Sequence, residues 1–499
     1  MLKPGVTELD QPMVLDAAQG EIQLLGAAAG STLKASAKFQ GAALIVARGL
    51  KHLSIERLKL DGNRSLLDRS FPIAPYDKSF AEFYPLNGIL LDNCEGAILR
   101  NLEIRNIVNF PILVTNSKQV RIHAVRIEYS GSRDESGKNN TTGGILFEEG
   151  TADFEVRFVK MRAIRGNGIW THSRYESPRN RDGLIHESEV NGSARDAIQV
   201  GHATNIRVLK NLLVNIGFPI ELVDTAHGGI PVGIDTAGDV DKSLYAENVM
   251  QEINGKCIDL DGFHDGEIRS NRCFNRKPAA AYPQGHFGIV LNNTNPDMRS
   301  EGILIEDNEL EGMKYGGIFL IGRNHIVRKN RMRYLNTAGC TESHAIGAEC
   351  YFGADEPDLL RSGIYFGKGA ERPDPARDIL VEDNLITGFK MKERCLAYSP
   401  QIQKTGLRVE RNICVDADAA LRGKKKCVSS KPCAKTGTAA QRKTLTTTSP
   451  SDVTSRTKRN SSRPQAMFCA VLNANSSAAC PVPIRDLAGR LRSAVALEG

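Results

Sequence analysis

The chain has 499 residues, 41% of them hydrophobic, and a formal charge of +7 at neutral pH. That length is enough to bury a large core, and no run reaches the roughly 18 consecutive apolar residues a membrane span needs, so no membrane span is expected. The 46 glycines against a single tryptophan favour a turn-rich β architecture over a helical bundle. The basic surplus gathers late, at Lys424 to Lys426 and Arg456 to Arg459, so a nucleic-acid partner is not expected either.

The opening stretch, MLKPGVTELDQPMVLD, lacks the charged, apolar and small-residue regions of a signal peptide. It runs directly into a repeat. Eleven segments share a short apolar strand that usually opens on Gly-Ile: NGILLDN at Asn87, FPILVTN at Phe110, GGILFEE at Gly143, NGIWTHS at Asn167, DAIQVGH at Asp196, VGIDTAG at Val232, KCIDLDG at Lys256, FGIVLNN at Phe287, GGIFLIG at Gly316, SGIYFGK at Ser362 and RCLAYSP at Arg394. Ile89 and Ile112 are 23 residues apart, room for three short strands and three turns. A second strand follows each segment, and an asparagine recurs in it at Asn101, Asn211, Asn248, Asn271, Asn308, Asn330, Asn384 and Asn412. Asparagine tolerates the left-handed conformation of a tight turn, and its side chain can bond its copy one rung away. This column reads as an internal ladder.

One repeated pattern without two-residue hairpin turns excludes a β-sandwich. The expected fold is all-β: a right-handed, single-stranded parallel β-helix, a solenoid of about 11 to 13 rungs over residues 1–420. Because such a solenoid needs its ends covered, a signal peptide and a capping rung are expected to precede the printed start. The protein is accordingly expected to be secreted, periplasmic or on the cell surface, and to be a monomer. From about Glu21 to about Ala420 the repeat resembles the pectate-lyase-like β-helix superfamily.

Alternation along the strand turns the isoleucines inward and the next residue outward. One outward column is Leu90, Leu113, Leu146, Trp170, Gln199, Asp235, Asp259, Val290, Phe319 and Tyr365; two residues on runs Asp92, Thr115, Glu148, His172, Gly201, Ala237, Asp261, Asn292, Ile321 and Gly367. Insertions at 64–86, 129–142, 218–231, 276–286 and 336–361 precede this strand and are expected to wall a groove. Asp235 and Asp259 are expected to face solvent on neighbouring rungs, with Asp261 one pleat along, a pairing that raises a carboxyl pKa and suits glycosidic cleavage. Asp235, Asp259, Asp261 and His286 are the candidate catalytic residues. Trp170, Phe319 and Tyr365 offer stacking faces, and His172, Gln199, His202, His264 and Asn292 offer polar contacts to a polysaccharide or oligosaccharide.

Over residues 232–291 the order of motifs is similar to that of polygalacturonases, with Asp235, then Asp259 and Asp261, then His286 on successive coils. That similarity implies hydrolysis at paired acids. The chain departs from the pattern where Gly255 and Lys256 stand in place of acids before Cys257. The reading is a carbohydrate-active β-helix that cleaves a polysaccharide hydrolytically without a cofactor. One alternative is a lyase in which Asp235, Asp259, Asp261 and Asp265 bind Ca²⁺. Another is a non-catalytic glycan-binding or adhesin solenoid.

The cysteines number eleven, an odd count. Cys340 with Cys350 and Cys395 with Cys414 are expected to pair, while Cys257 and Cys273 are expected to fill core columns as small apolar residues. Residues 421–499 are rich in Lys, Arg, Ser and Thr and are expected to be disordered.

Overall fold

The computed structural model describes residues 1–417 other than 17–19, 76, 227–228, 342–349, 351–355, 357, 370–371 and 392–393. The basic tail expected to be disordered lies outside the described residues. The chain winds into coils of three strands, and every strand pairs in parallel with its equivalent one coil on. The Gly-Ile strands stack as a first face of 13 strands, from Met13–Asp16 to Leu396–Tyr398. The strands that follow them form a second face of 13, and a third face of 14 runs from Gly5–Leu9 to Ile413–Asp416. Coiling begins at Gly5.

The isoleucines hold the register. Ile45, Ile89, Ile112, Ile145, Ile169, Ile198, Ile234, Ile258, Ile289, Ile318 and Ile364 lie opposite one another down the first face. All are buried, and burying each contributes roughly 1.5–3 kcal/mol. A one-residue slip would turn the whole stack outward, so the pattern tolerates no alternative pairing.

The asparagine ladder forms between the second and third faces. From Asn211 through Asn248, Asn271, Asn308, Asn330 and Asn384 to Asn412, each backbone N–H and side-chain amide donates to the Oδ1 of the next asparagine at 2.8–3.1 Å. Two corrections follow. The left-handed residue is the one before each asparagine: Lys210, Glu247, Ser270, Asp307, Lys329, Asp383 and Arg411 all have positive φ. Asn101 itself occupies that turn position, at φ 55°. Leu102 therefore stands in the ladder column, which is apolar in the early coils and polar from Ser188 onward.

Cys340–Cys350 and Cys395–Cys414 are disulfides, as expected. Cys257 and Cys273 are not separate core fillers; they form a third disulfide. Cys257 precedes the inward Ile258 of the first face, and Cys273 is a core residue of the third face in the same coil, so their side chains meet across the interior. Cys395 and Cys414 repeat these two positions in the last coil.

Candidate functional site

The outward columns have the register read from the sequence. Trp170 lies opposite Gln199, Gln199 opposite Asp235, Asp235 opposite Asp259, and Phe319 opposite Tyr365; Ala237 lies opposite Asp261 and Asp261 opposite Asn292. Their exposure differs from expectation. Asp235 is 0% and Asp259 1% exposed, so the expected solvent-facing pair is instead a buried one. Neighbouring side chains cover them. Gln199 donates Nε2–H to Asp235 Oδ2 at 2.6 Å and accepts from Asn167 Nδ2 at 2.7 Å. Lys256, itself buried, folds back along its own strand to an ion pair with Asp259.

A third carboxyl, Asp196, joins this cluster from the turn before Ile198–Val200, where its Oδ1 accepts the Val232 N–H at 2.9 Å. Burial raises its pKa to about 7 against the pull of Arg195. Burial also pushes Asp235 well above the carboxylate range, reinforced by the negative charges of Asp196 and Asp259. For Lys256, burial works against the charge, and the Asp259 carboxylate overcomes it to hold the ammonium protonated.

Beside this buried cluster an open cleft of about 450 Å³ lies over the first face. Its floor includes Trp170, His172, Gln199, His202, Gly238 and Asp261. One wall comes from the expected insertions, with Ala74, Phe80 and Thr141. The other wall comes from two loops that follow the first-face strand, bearing Ser173 and Tyr175, and Thr294 to Met298. Asn295 Nδ2 donates to Tyr175 Oη at 3.0 Å and ties these loops together. At Gly238, φ is 120° and the register with the next strand shifts between Ala237 and Val240. This bulge re-aims the backbone within the floor.

Phe80 is fixed from below. Glu148, buried on the floor column, accepts hydrogen bonds from Ser79 Oγ and from the Phe80 and Ala81 N–H groups at 2.8–2.9 Å. Burial outweighs these donors and raises its pKa to about 7. So held, Phe80 meets Trp170 edge-on at 5.1 Å and His172 at 4.6 Å between ring centres.

Charge is divided along the cleft. Asp261 accepts from Thr294 N at 2.9 Å and Thr294 Oγ1 at 2.7 Å. Burial raises the Tyr175 pKa, and the negative charges of Asp297, Asp261 and Asp239 raise it further. Arg195 lines the cleft where the floor strand Ile198–Val200 begins. Burial lowers His172 to about 4 and also lowers His202, so both rings are neutral at physiological pH.

Of the expected residues, Trp170, His172, Gln199, His202 and Asp261 thus meet in the cleft. Asp235 and Asp259 lie behind Gln199. His264 is buried, 3.5 Å from Asp239. His286 and Asn292 are buried and do not line the cleft. Phe319 and Tyr365 are not open platforms: they stack on each other at 5.8 Å and 10°, and Tyr365 Oη donates to Glu356. The four aspartates of the calcium reading do not converge as a ligand set. Asp259 pairs with Lys256, Asp261 with Thr294, and Asp265 lies 3.8 Å from Arg299. Among the described residues no three His, Cys, Asp or Glu side chains come together as metal donors.

Phe80, Tyr175, Arg195 and Asp297 escaped the sequence reading. Three of them come from loops outside the repeat, where no period singles out a residue. Arg195 had a usable signal, a charge at a position where the preceding rung opens on Gly166 and Asn167.

The all-parallel coils define the class: a right-handed parallel β-helix. No family model and no curated protein sequence matches the chain. In shape it is similar to the N-terminal fragment of gene product 12 of bacteriophage phi29, with a TM-score of 0.56 at 11% identity over 83% of this chain and 66% of that one. The pre-mature form of the same phage protein gives 0.55 at 11% identity over 81% and 52%. The chain therefore spans less than two thirds of either. A tailspike of bacteriophage HK620, solved with a pentasaccharide, matches at 0.46 and 10% identity over 79% and 71%.

Proposed function

We propose that this β-helix binds a carbohydrate in the cleft over its first face and hydrolyses a glycosidic bond there. The observation that carries this reading is the composition of the cleft. Aromatic faces of Phe80, Trp170 and Tyr175 stand with carboxyl groups of Asp261 and Asp297 around a volume of about 450 Å³, suited to one or two sugar rings. Two donors from Thr294 keep Asp261 an acceptor, the form a base or nucleophile needs. Proton delivery to the leaving oxygen then falls to Asp297. The Asp235–Asp259 pair, covered by Gln199 and Lys256, tunes the floor and does not touch the sugar.

A polysaccharide panel assayed for new reducing ends and for unsaturated products tests the reading. Hydrolysis is expected, abolished in Asp261→Asn with binding retained. Trp170→Ala is expected to weaken binding. Binding unaffected by Trp170→Ala overturns the placement of the site. Binding without any turnover on the whole panel favours a glycan-binding solenoid, a reading that the burial of Asp235 and Asp259 also supports.

A further inference from the structure

We infer that the cleft takes a sugar carrying a negative charge, a carboxylate or a sulfate ester, and that Arg195 holds it. This rests on the carbohydrate reading above and extends it to a substrate class.

Arg195 stands directly before Asp196 at the start of a floor strand. It lines the cleft and is only 4% exposed. Neither Nε nor Nη1 makes a hydrogen bond. Its nearest acid is Asp196, with 3.6 Å between Nε and Oδ2, beyond hydrogen-bond reach. A guanidinium cannot escape burial by losing its proton, so an under-satisfied one is costly unless a ligand completes it. Arg165, by contrast, donates twice to Asp68. Arg179 leaves only its Nε unbonded and donates through Nη2 to the carbonyls of Ala203 and Asp239.

The fork of a guanidinium matches the paired oxygens of a carboxylate or sulfate. Asp196 is not a substitute, because its Oδ1 is already bonded to the Val232 N–H and burial favours its neutral form. The acids of the cleft stand around Tyr175, on and beside the loops that follow the floor strands, whereas Arg195 stands where its floor strand begins. A ligand with an anionic group at one end and an uncharged glycosidic oxygen at the other fits this arrangement. The neutral His172 and His202 add donors and acceptors without adding charge.

Calorimetric titration of the full chain with uronate-containing, sulfated and neutral oligosaccharides of matched length tests this. One anionic class is expected to bind at least about tenfold tighter than its neutral counterpart, and the two anionic arms identify the group. Arg195→Gln is expected to bring the ratio of anionic to neutral affinity close to one. If Arg195→Gln does not melt cooperatively, Arg195→Lys carries the test, with a loss of about threefold or more for the anionic sugar alone. Equal affinity for neutral and anionic sugars, or a preference that survives substitution, overturns the inference and leaves the carbohydrate reading standing. No sugar binding of any kind overturns both.

Discussion

Lys256 reaches Asp259 within a single strand, and the pair is buried where neither group meets water. Removing one partner strands the other, so Lys256→Met is expected to cost about 3–5 kcal/mol, and the double change to Lys256→Met with Asp259→Leu to recover much of it. Chemical denaturation of the two variants measures this. The other buried carboxyls impose a pH dependence of defined sign. Asp235, Asp196 and Glu148 all have folded pKa values above their unfolded ones, the last two at about 7. The folded chain therefore binds more protons than the unfolded chain as pH rises from the ordinary carboxylate range. The stability these groups contribute is complete below it and is lost as pH climbs through the folded values. Below about pH 6.5 the buried His172, His202 and His325, all with lowered pKa values, oppose this trend, so the melting temperature is expected to fall between about pH 6.5 and about pH 8, and Asp235→Asn is expected to flatten the slope. A melting temperature that rises over that interval contradicts the assignment.

At the scale of elements, the asparagine ladder joins the turns of successive coils through paired donors to each Oδ1. Asn271 sits mid-ladder, accepting from Asn248 and donating to Asn308 and the Tyr245 carbonyl. Asn271→Ala leaves buried backbone groups on both sides without their partners and is expected to cost about 2–4 kcal/mol, read by urea unfolding. The insertion bearing Phe80 is held through Glu148. Glu148→Gln keeps the shape but gives up an acceptor, so it is expected to weaken sugar binding several-fold while the coils still melt cooperatively. These elements also mark how far sequence alone reaches. Register was legible because a period-two strand with a fixed isoleucine sets which face turns inward, and ten of the eleven copies carry it, with Leu396 in the last. The columns containing Trp170, Gln199 and Asp261 followed directly. Burial of Asp235 and Asp259 was not legible, because it depends on Gln199 of one rung and Lys256 of another folding over them. The same holds for Asn101, displaced by one position from the ladder it resembles, and for the loop residues Tyr175 and Asp297.

For the whole molecule, each coil contacts its neighbours and little else, so stability accumulates along one axis. Cys257–Cys273 and Cys395–Cys414 close single coils across the interior. Replacing Cys257 and Cys273 together by serine is expected to lower stability by about 3 kcal/mol, with the loss centred on the coils under the cleft. Hydrogen exchange followed by mass spectrometry locates it.

Most coils break their backbone pairing at the corner between the first and second faces. Among the described residues two do not: Val232–Asp241 and Lys256–His264 run through it as unbroken strands, and Val240 pairs with both Ala203 and Phe263. These strands carry Gly238 and Asp261, part of the floor on which a ligand rests. Pairing that resumes on both sides of the Gly238 bulge leaves this corner little room to flex, so the floor acts as a plate and shape adjustment is left to the walls around Phe80 and Asn295. Specificity in such a molecule can change by exchange of wall loops while the plate beneath keeps its form.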